Sequence, residues 1–199
     1  MRTRVNSIWT PANIVTVVRV ALMPVWLAMA ELLPANPDGF SIGAFVVALG
    51  YVFISVTDKL DGYLARSRNE VTAFGKFLDP IADKLAVTIA LFFLLEVGET
   101  NSWVLLAVIS REFLVSGLRM VVANAGVVVA ASNLGKWKTA TTMMAICGLL
   151  FARAFSSTLI IGTWLYTISN ALLIVAVILT VWSGIDYFVK CWPYVANSE

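Results

Sequence analysis

Four aspartates in one short stretch are the residues whose types and spacing could do chemistry. Asp58 and Asp61 stand three apart and Asp79 and Asp83 four apart, with strongly apolar runs abutting the stretch on both sides. Carboxylates beside membrane-length apolar segments are costly to bury and therefore mark a function. On a helix the first pair would lie roughly 60° apart around the axis and the second roughly 40°, so each pair points from one helical face. Two such helices meeting would gather four carboxylates. That set suits one or two Mg²⁺ or Mn²⁺ ions, which prefer oxygen ligands and keep positions open for phosphate oxygens. Such a clamp neutralises a diphosphate and stabilises charge as a phosphoryl bond transfers. A carboxylate not fully used by metal could serve as base toward an attacking hydroxyl. Gly62 and Gly75 are small residues where a ligand could come close to the backbone, and Arg66 is placed to fork onto a phosphate or nucleotide. The plain alternative, polar loop residues near a membrane surface, explains one pair but not two at helical spacing with glycines between.

The elements that must hold these residues are membrane-like. The chain has 199 residues, 60% hydrophobic and 13% charged, with a mean hydropathy of +0.87. A soluble domain carries about 25% charged residues. The length allows one domain, 1–199. The net charge of +2 is small, and the basic residues form no stripe, so no nucleic-acid partner is expected. Cys147 and Cys191 belong to no CxxC or metal-spaced set and read as inert packing. There is no histidine, which excludes a His-based triad and a His-containing zinc site.

Thr10-Pro11 is a capping hydroxyl followed by proline, so helix 1 is expected over about 11–33. Its apolar run is longer than a signal core and contains Arg19, which argues against a cleaved leader. After the turn cluster 34–39, helix 2 is expected from about Ser41 to Arg66 and helix 3 over about 73–96, kinked or restarted near Pro80. Helix 4 follows over about 102–124, an apolar linker over 125–135, helix 5 over about 136–154 and helix 6 over about 160–189. Spans of about 20 residues suit a bilayer. Arg2 and Arg4, then Lys59, Arg66, Arg68 and Lys76, then Lys136 and Lys138, and finally Lys190 fall at one end of the helices, with Arg153 alone at the other. The positive-inside rule puts that end, both termini and the aspartates in the cytoplasm. Trp9, Trp137 and Trp192 fall at the same interface.

The pattern Asp58-x2-Asp61-Gly62-x2-Ala65-Arg66-x8-Gly75-x3-Asp79-x3-Asp83 resembles the complete signature of the CDP-alcohol phosphotransferase family, with every position and spacing intact. The resemblance implies an all-α integral membrane fold of six transmembrane helices, in a homodimer, with the site open to the cytoplasm. It implies that Asp58, Asp61 and Asp79 bind two Mg²⁺ or Mn²⁺ ions and that Asp83 divides between metal contact and general base. Asp61, Gly62, Ala65, Arg66 and Gly75 would pack against or contact the CDP part of the donor. The attacking hydroxyl would strike the lipid-side phosphorus of a CDP-linked lipid, and CMP would leave, with no organic cofactor.

The acceptor should be reported by the other polar residues. Arg111, Glu112, Ser116 and Arg119 would share a sector of roughly 140° on helix 4, and Lys136 and Lys138 open helix 5. These cations exceed what an uncharged alcohol needs and suit an acceptor that brings its own phosphate. Topology alone could explain the lysines, and pairing with Glu112 could explain the arginines. The stretches 110–119, 135–139 and 74–84, with Asn13-x2-Thr16-x2-Arg19, are similar to a bacterial branch of the family. That resemblance weakens after about residue 150. It implies transfer of the phosphatidyl group from CDP-diacylglycerol to sn-glycerol 3-phosphate, giving phosphatidylglycerophosphate and CMP at the bacterial cytoplasmic membrane. Asn13, Thr16 and Arg19 would line the cytoplasmic end of helix 1 near the phosphates, although Arg19 could instead snorkel. Inositol phosphate or phosphatidylglycerol as acceptor is the nearest alternative. A divalent-cation carrier is the alternative of another class, which would place carboxylates near the bilayer centre without need of Gly62, Arg66 or Gly75.

Overall fold

The computed structural model describes the backbone of residues 10–67, 72–124, 133–155 and 159–196, and the side chains of all of these except 12, 58–67, 73, 76, 79, 124, 133, 195 and 196. Six helices follow one another: α1 (Pro11–Leu32), α2 (Ile42–Ser67), α3 (Ala73–Glu96), α4 (Ser102–Asn124), α5 (Asn133–Ala154) and α6 (Ile160–Ala196). Trp9 and most of the linker lie outside the described residues.

Local chemistry explains where most of the helices begin. Thr10 Oγ1 accepts from the Asn13 amide at 3.3 Å, and Pro11 fills a first-turn position that has no use for an N–H. Thr72 Oγ1 accepts from the Gly75 amide at 3.0 Å and opens α3. Ser41 Oγ and Asn101 Oδ1 do the same for the amides of Ala44 and Val104, before α2 and α4. Gly98, at φ +78°, turns the chain after α3, a conformation that costs glycine little.

Two boundaries differ from those expected. The fifth helix starts at Asn133, not near 136, and the sixth runs to Ala196, not to about 189. The extension of α6 has a packing cause: Tyr187 and Cys191 are buried against Val115 and Val122 of α4. Lys190 also donates to Asp186 one turn back at 2.7 Å. α3 is continuous through Pro80.

The helices alternate in direction. The starts of α1 and α3 meet where Asn13 Nδ2 donates to Thr72 Oγ1 at 2.7 Å. The far half of α1 packs on the first half of α2, where Trp26 Nε1 donates to the Val47 carbonyl at 2.9 Å. α4 and α6 run together, with Arg111 Nε donating to Ser183 Oγ at 3.2 Å. α5 and α6 lie so close that a Cβ on Gly148 would collide with the Ser169 hydroxyl. The main core gathers Met23, Trp26, Tyr51, Leu91, Phe93, Leu94, Ile146 and Leu149 from α1, α2, α3 and α5. The Trp26 ring lies 5.5 Å from that of Tyr51 and 5.8 Å from that of Phe93.

Phe53, Phe92, Trp103, Phe113, Ile160 and Trp182, spread over α2, α3, α4 and α6, are all more than half exposed. So much outward apolar surface is what a helix bundle presents to lipid. Among the described residues two helices are long and apolar enough to cross a membrane by themselves, over Asn13–Leu32 and Ile160–Tyr194. The apolar part of α2, Ile42–Thr57, is shorter. Among the described residues, α3, α4 and α5 carry charge on faces turned toward one another, and those charges line the site.

Candidate functional site

The start of α1 is a buried polar face. Asn13, Thr16 and Arg19 are all nearly inaccessible to solvent, so Arg19 does not snorkel. Its Nη1 lies 3.2 Å from Asp83 Oδ1 on α3, linking a guanidinium that is 2% exposed to a carboxylate that is 49% exposed. Asn13 binds Thr72, the residue that caps α3, and a Cβ on Gly75 would lie 2.5 Å from Asn13 Oδ1. Gly75 is therefore the residue that lets the starts of α1 and α3 come together.

Beyond Asp83, α3, α4 and α5 enclose a cavity of about 310 Å³, within the range of small-ligand sites. Asp83 and Lys84 line it from α3, Glu112 and Arg119 from α4, and Lys138, Thr139 and Thr142 from α5. Glu112 is the hub. Its Oε1 accepts from Arg111 Nη1 at 3.1 Å and from Lys138 Nζ. Lys84 Nζ donates to Ser116 Oγ and reaches the Glu112 carbonyl at 3.5 Å, and Ser116 Oγ in turn donates to that carbonyl at 2.7 Å. Arg119 lies over the Tyr187 ring, 5.9 Å from its centroid. Lys138 is buried, and the Thr142 hydroxyl donates to its carbonyl at 2.8 Å.

Of the residues expected to meet the acceptor, the structure brings Arg119 and Lys138 to the cavity. Arg111 stands behind Glu112 and is held against α6 by Ser183, while Lys136 is exposed on α5; neither is part of the cavity lining. The pairing of Arg111 with Glu112, weighed above as an alternative, is present. Sequence reasoning assigned no role to Lys84, and placed Glu112 on the acceptor-facing sector of helix 4 with pairing to the arginines as its alternative. A cation directly after Asp83, at the start of the apolar run 85–95, was the available signal for Lys84.

The backbone carries Asp58, Asp61, Gly62, Ala65 and Arg66 on the second half of α2, and Asp79 and Asp83 one turn apart on α3. The side chains of Asp58, Asp61, Ala65, Arg66 and Asp79 lie outside the described residues. Among the described residues no three of His, Cys, Asp or Glu gather as metal ligands. The donor chemistry on these two helices is carboxylate oxygen alone, half open to solvent at Asp83, which fits a hard cation such as Mg²⁺ or Mn²⁺ and not a soft one.

The family described as CDP-alcohol phosphatidyltransferase matches residues 9–182. A Bacillus subtilis protein named CDP-diacylglycerol–glycerol-3-phosphate 3-phosphatidyltransferase is 38% identical over 193 residues, covering 94% of this chain and 97% of its own. Proteins of the same name from Rickettsia bellii and Haemophilus influenzae are 37% and 38% identical, over 92% and 86% of this chain and 95% and 88% of theirs.

Proposed function

The chain belongs to the CDP-alcohol phosphatidyltransferase family, and from that premise we propose that it transfers the phosphatidyl group of CDP-diacylglycerol to sn-glycerol 3-phosphate. The observation that carries the acceptor is the cavity in which Lys84, Arg119 and Lys138 stand beside Asp83. Three cations lining one cavity suit a phosphate, and the neighbouring carboxylate suits the hydroxyl that must lose its proton. The names of the relatives agree with that acceptor.

In this reading the acceptor's phosphate lies among Lys84, Arg119 and Lys138, and its free hydroxyl is turned toward Asp83. Asp83 takes the hydroxyl proton as the oxygen attacks the lipid-side phosphorus. The bond from that phosphorus to the CMP oxygen breaks, leaving phosphatidylglycerophosphate and CMP. Arg19 holds the carboxylate in place from its buried side. Asp58, Asp61, Asp79 and Asp83 would hold Mg²⁺ or Mn²⁺. The metal, when bound, supplies neutralisation of the diphosphate charge during transfer. Asp61, Gly62, Ala65, Arg66 and Gly75 serve the CDP portion of the donor.

The whole chain acts as one membrane-embedded domain, as a homodimer, in the bacterial cytoplasmic membrane. All six helices span it, with both termini and the site on the cytoplasmic side. The distribution of lysine and arginine supports this orientation. The diacyl tails stay in lipid while the CDP head enters from the cytosol.

The test is CMP release by purified protein given CDP-diacylglycerol and one acceptor at a time. Release that depends on sn-glycerol 3-phosphate, stops with a chelator and returns with Mg²⁺ or Mn²⁺ is the expected result. Release only with inositol phosphate or phosphatidylglycerol would reject the acceptor. Asp83→Asn should lower turnover by about 10²–10⁴-fold.

A further inference from the structure

A carboxylate is an unexpected lining for a pocket that is to hold a phosphate, because it repels the ligand its neighbours attract. Glu112 nevertheless lines the cavity together with Lys84, Arg119 and Lys138. Its bonding is one-sided. Arg111 and Lys138 both donate to Oε1, and no described residue donates to Oε2. Arg111 is itself fixed from behind, its Nε donating to Ser183 on α6. One oxygen is thus anchored to a braced guanidinium and a buried ammonium, and the other is left with its acceptor capacity unused by the protein.

We propose that Glu112 is a specificity-determining residue for the acceptor, its Oε2 accepting a hydrogen bond from a non-reacting hydroxyl of a phosphate-bearing polyol. This rests on the transfer reaction proposed above. An ionised carboxylate accepts hydrogen bonds and donates none, so at this position it favours a molecule that presents an O–H a short distance from its phosphate. The same charge penalises bare phosphate and phosphate esters without a hydroxyl there. Sites built to bond a substrate hydroxyl reject analogues that lack it far more strongly than apolar pockets do, because the protein's own polar group is then left unmatched. If Glu112 served only to neutralise Arg111 and Lys138, Oε1 alone would suffice and the acceptor's hydroxyl pattern would be irrelevant to it.

The experiment compares two acceptors with purified full-length protein and CDP-diacylglycerol: sn-glycerol 3-phosphate, and 3-hydroxypropyl phosphate, which keeps a terminal hydroxyl and the phosphate but lacks the middle hydroxyl. The readout is the ratio of kcat/KM for the two. The wild-type protein is expected to favour the first by at least about tenfold. Glu112→Ala should bring the ratio to within about threefold. Glu112→Met should do the same while keeping the side chain's length, since a thioether offers the hydroxyl no donor and only a weak acceptor. It provides the measurement if the alanine variant fails to fold. Equal losses on both acceptors, with the ratio preserved, would overturn the proposal and leave Glu112 as a brace for Lys138. A wild-type protein that uses both acceptors equally well would also overturn it. A wild-type protein that releases CMP with neither acceptor would instead reject the transfer reaction itself, and the present inference with it.

Discussion

Arg19 on α1 and Asp83 on α3, 64 positions apart, meet at 3.2 Å across a burial boundary, the guanidinium inside and the carboxylate half in solvent. The two partners therefore differ in what their loss leaves behind. Arg19→Met leaves a carboxylate that water already reaches, at a cost of about 1 kcal/mol. Asp83→Leu takes one anion from the neighbourhood of a guanidinium with almost no access to water, which should cost more than that. Thermal unfolding in detergent without divalent ions should show the larger drop in Tm for Asp83→Leu. Equal drops would mean that burial does not set the cost.

Gly75 and Asn13 make a second pair whose coupling can be measured. Gly75→Ala pushes a methyl group against Asn13 Oδ1, which is fixed through its amide to Thr72. Overpacking of this kind costs about 1–3 kcal/mol. In an Asn13→Ala background the same change should cost clearly less, and a double-mutant cycle gives the difference. Additive losses would show that the two residues do not compete for space.

Lys138 and Lys136 separate the cavity from the charge pattern at the helix start. Lys138 is buried and lines the cavity; Lys136 is exposed and outside it. Lys138→Met should raise the KM for sn-glycerol 3-phosphate by at least about tenfold, the scale of one charge-assisted bond, and change the KM for CDP-diacylglycerol little. Lys136→Met should leave both nearly unchanged. A similar rise for the two variants would point to general surface charge.

At the other end of the bundle, Glu99 in the turn after α3 has its carboxyl pKa raised by burial, an effect that Arg153, with Nη1 at 3.8 Å, only partly offsets. The folded protein thus holds this proton to higher pH than the unfolded chain does. Its contribution to stability is present below the ordinary glutamate range and is lost as pH rises through the raised value. The pH profile of Tm should fall less steeply over that window in Glu99→Gln than in the wild type. Parallel profiles would show that Glu99 does not titrate there.

Much of this molecule was legible locally. Thr10, Thr72 and the turn residues at 34–39 and 98–101 gave helix boundaries close to those found, because caps and turns act through neighbours a few positions away. The extent of α6 was less legible. Its last turns persist because Tyr187 and Cys191 bury against α4, and no local signal carries that. The family was legible because the motif over 58–83 resembles that family's signature at every position, and a motif of this kind is carried by the sequence itself.

By itself, then, the sequence determined the helices, the aspartate pattern and the excess of cations on α4 and α5. Only the tertiary structure decided what those cations do. Helical periodicity places a side chain around its own axis and says nothing of how that axis is rotated against another. Arg111 and Arg119 share one sector of α4, yet one braces Glu112 against α6 and the other lines the cavity. Lys84 and Arg19 acquired their roles in the same way, from partners 32 and 64 positions away that helix packing brought within reach.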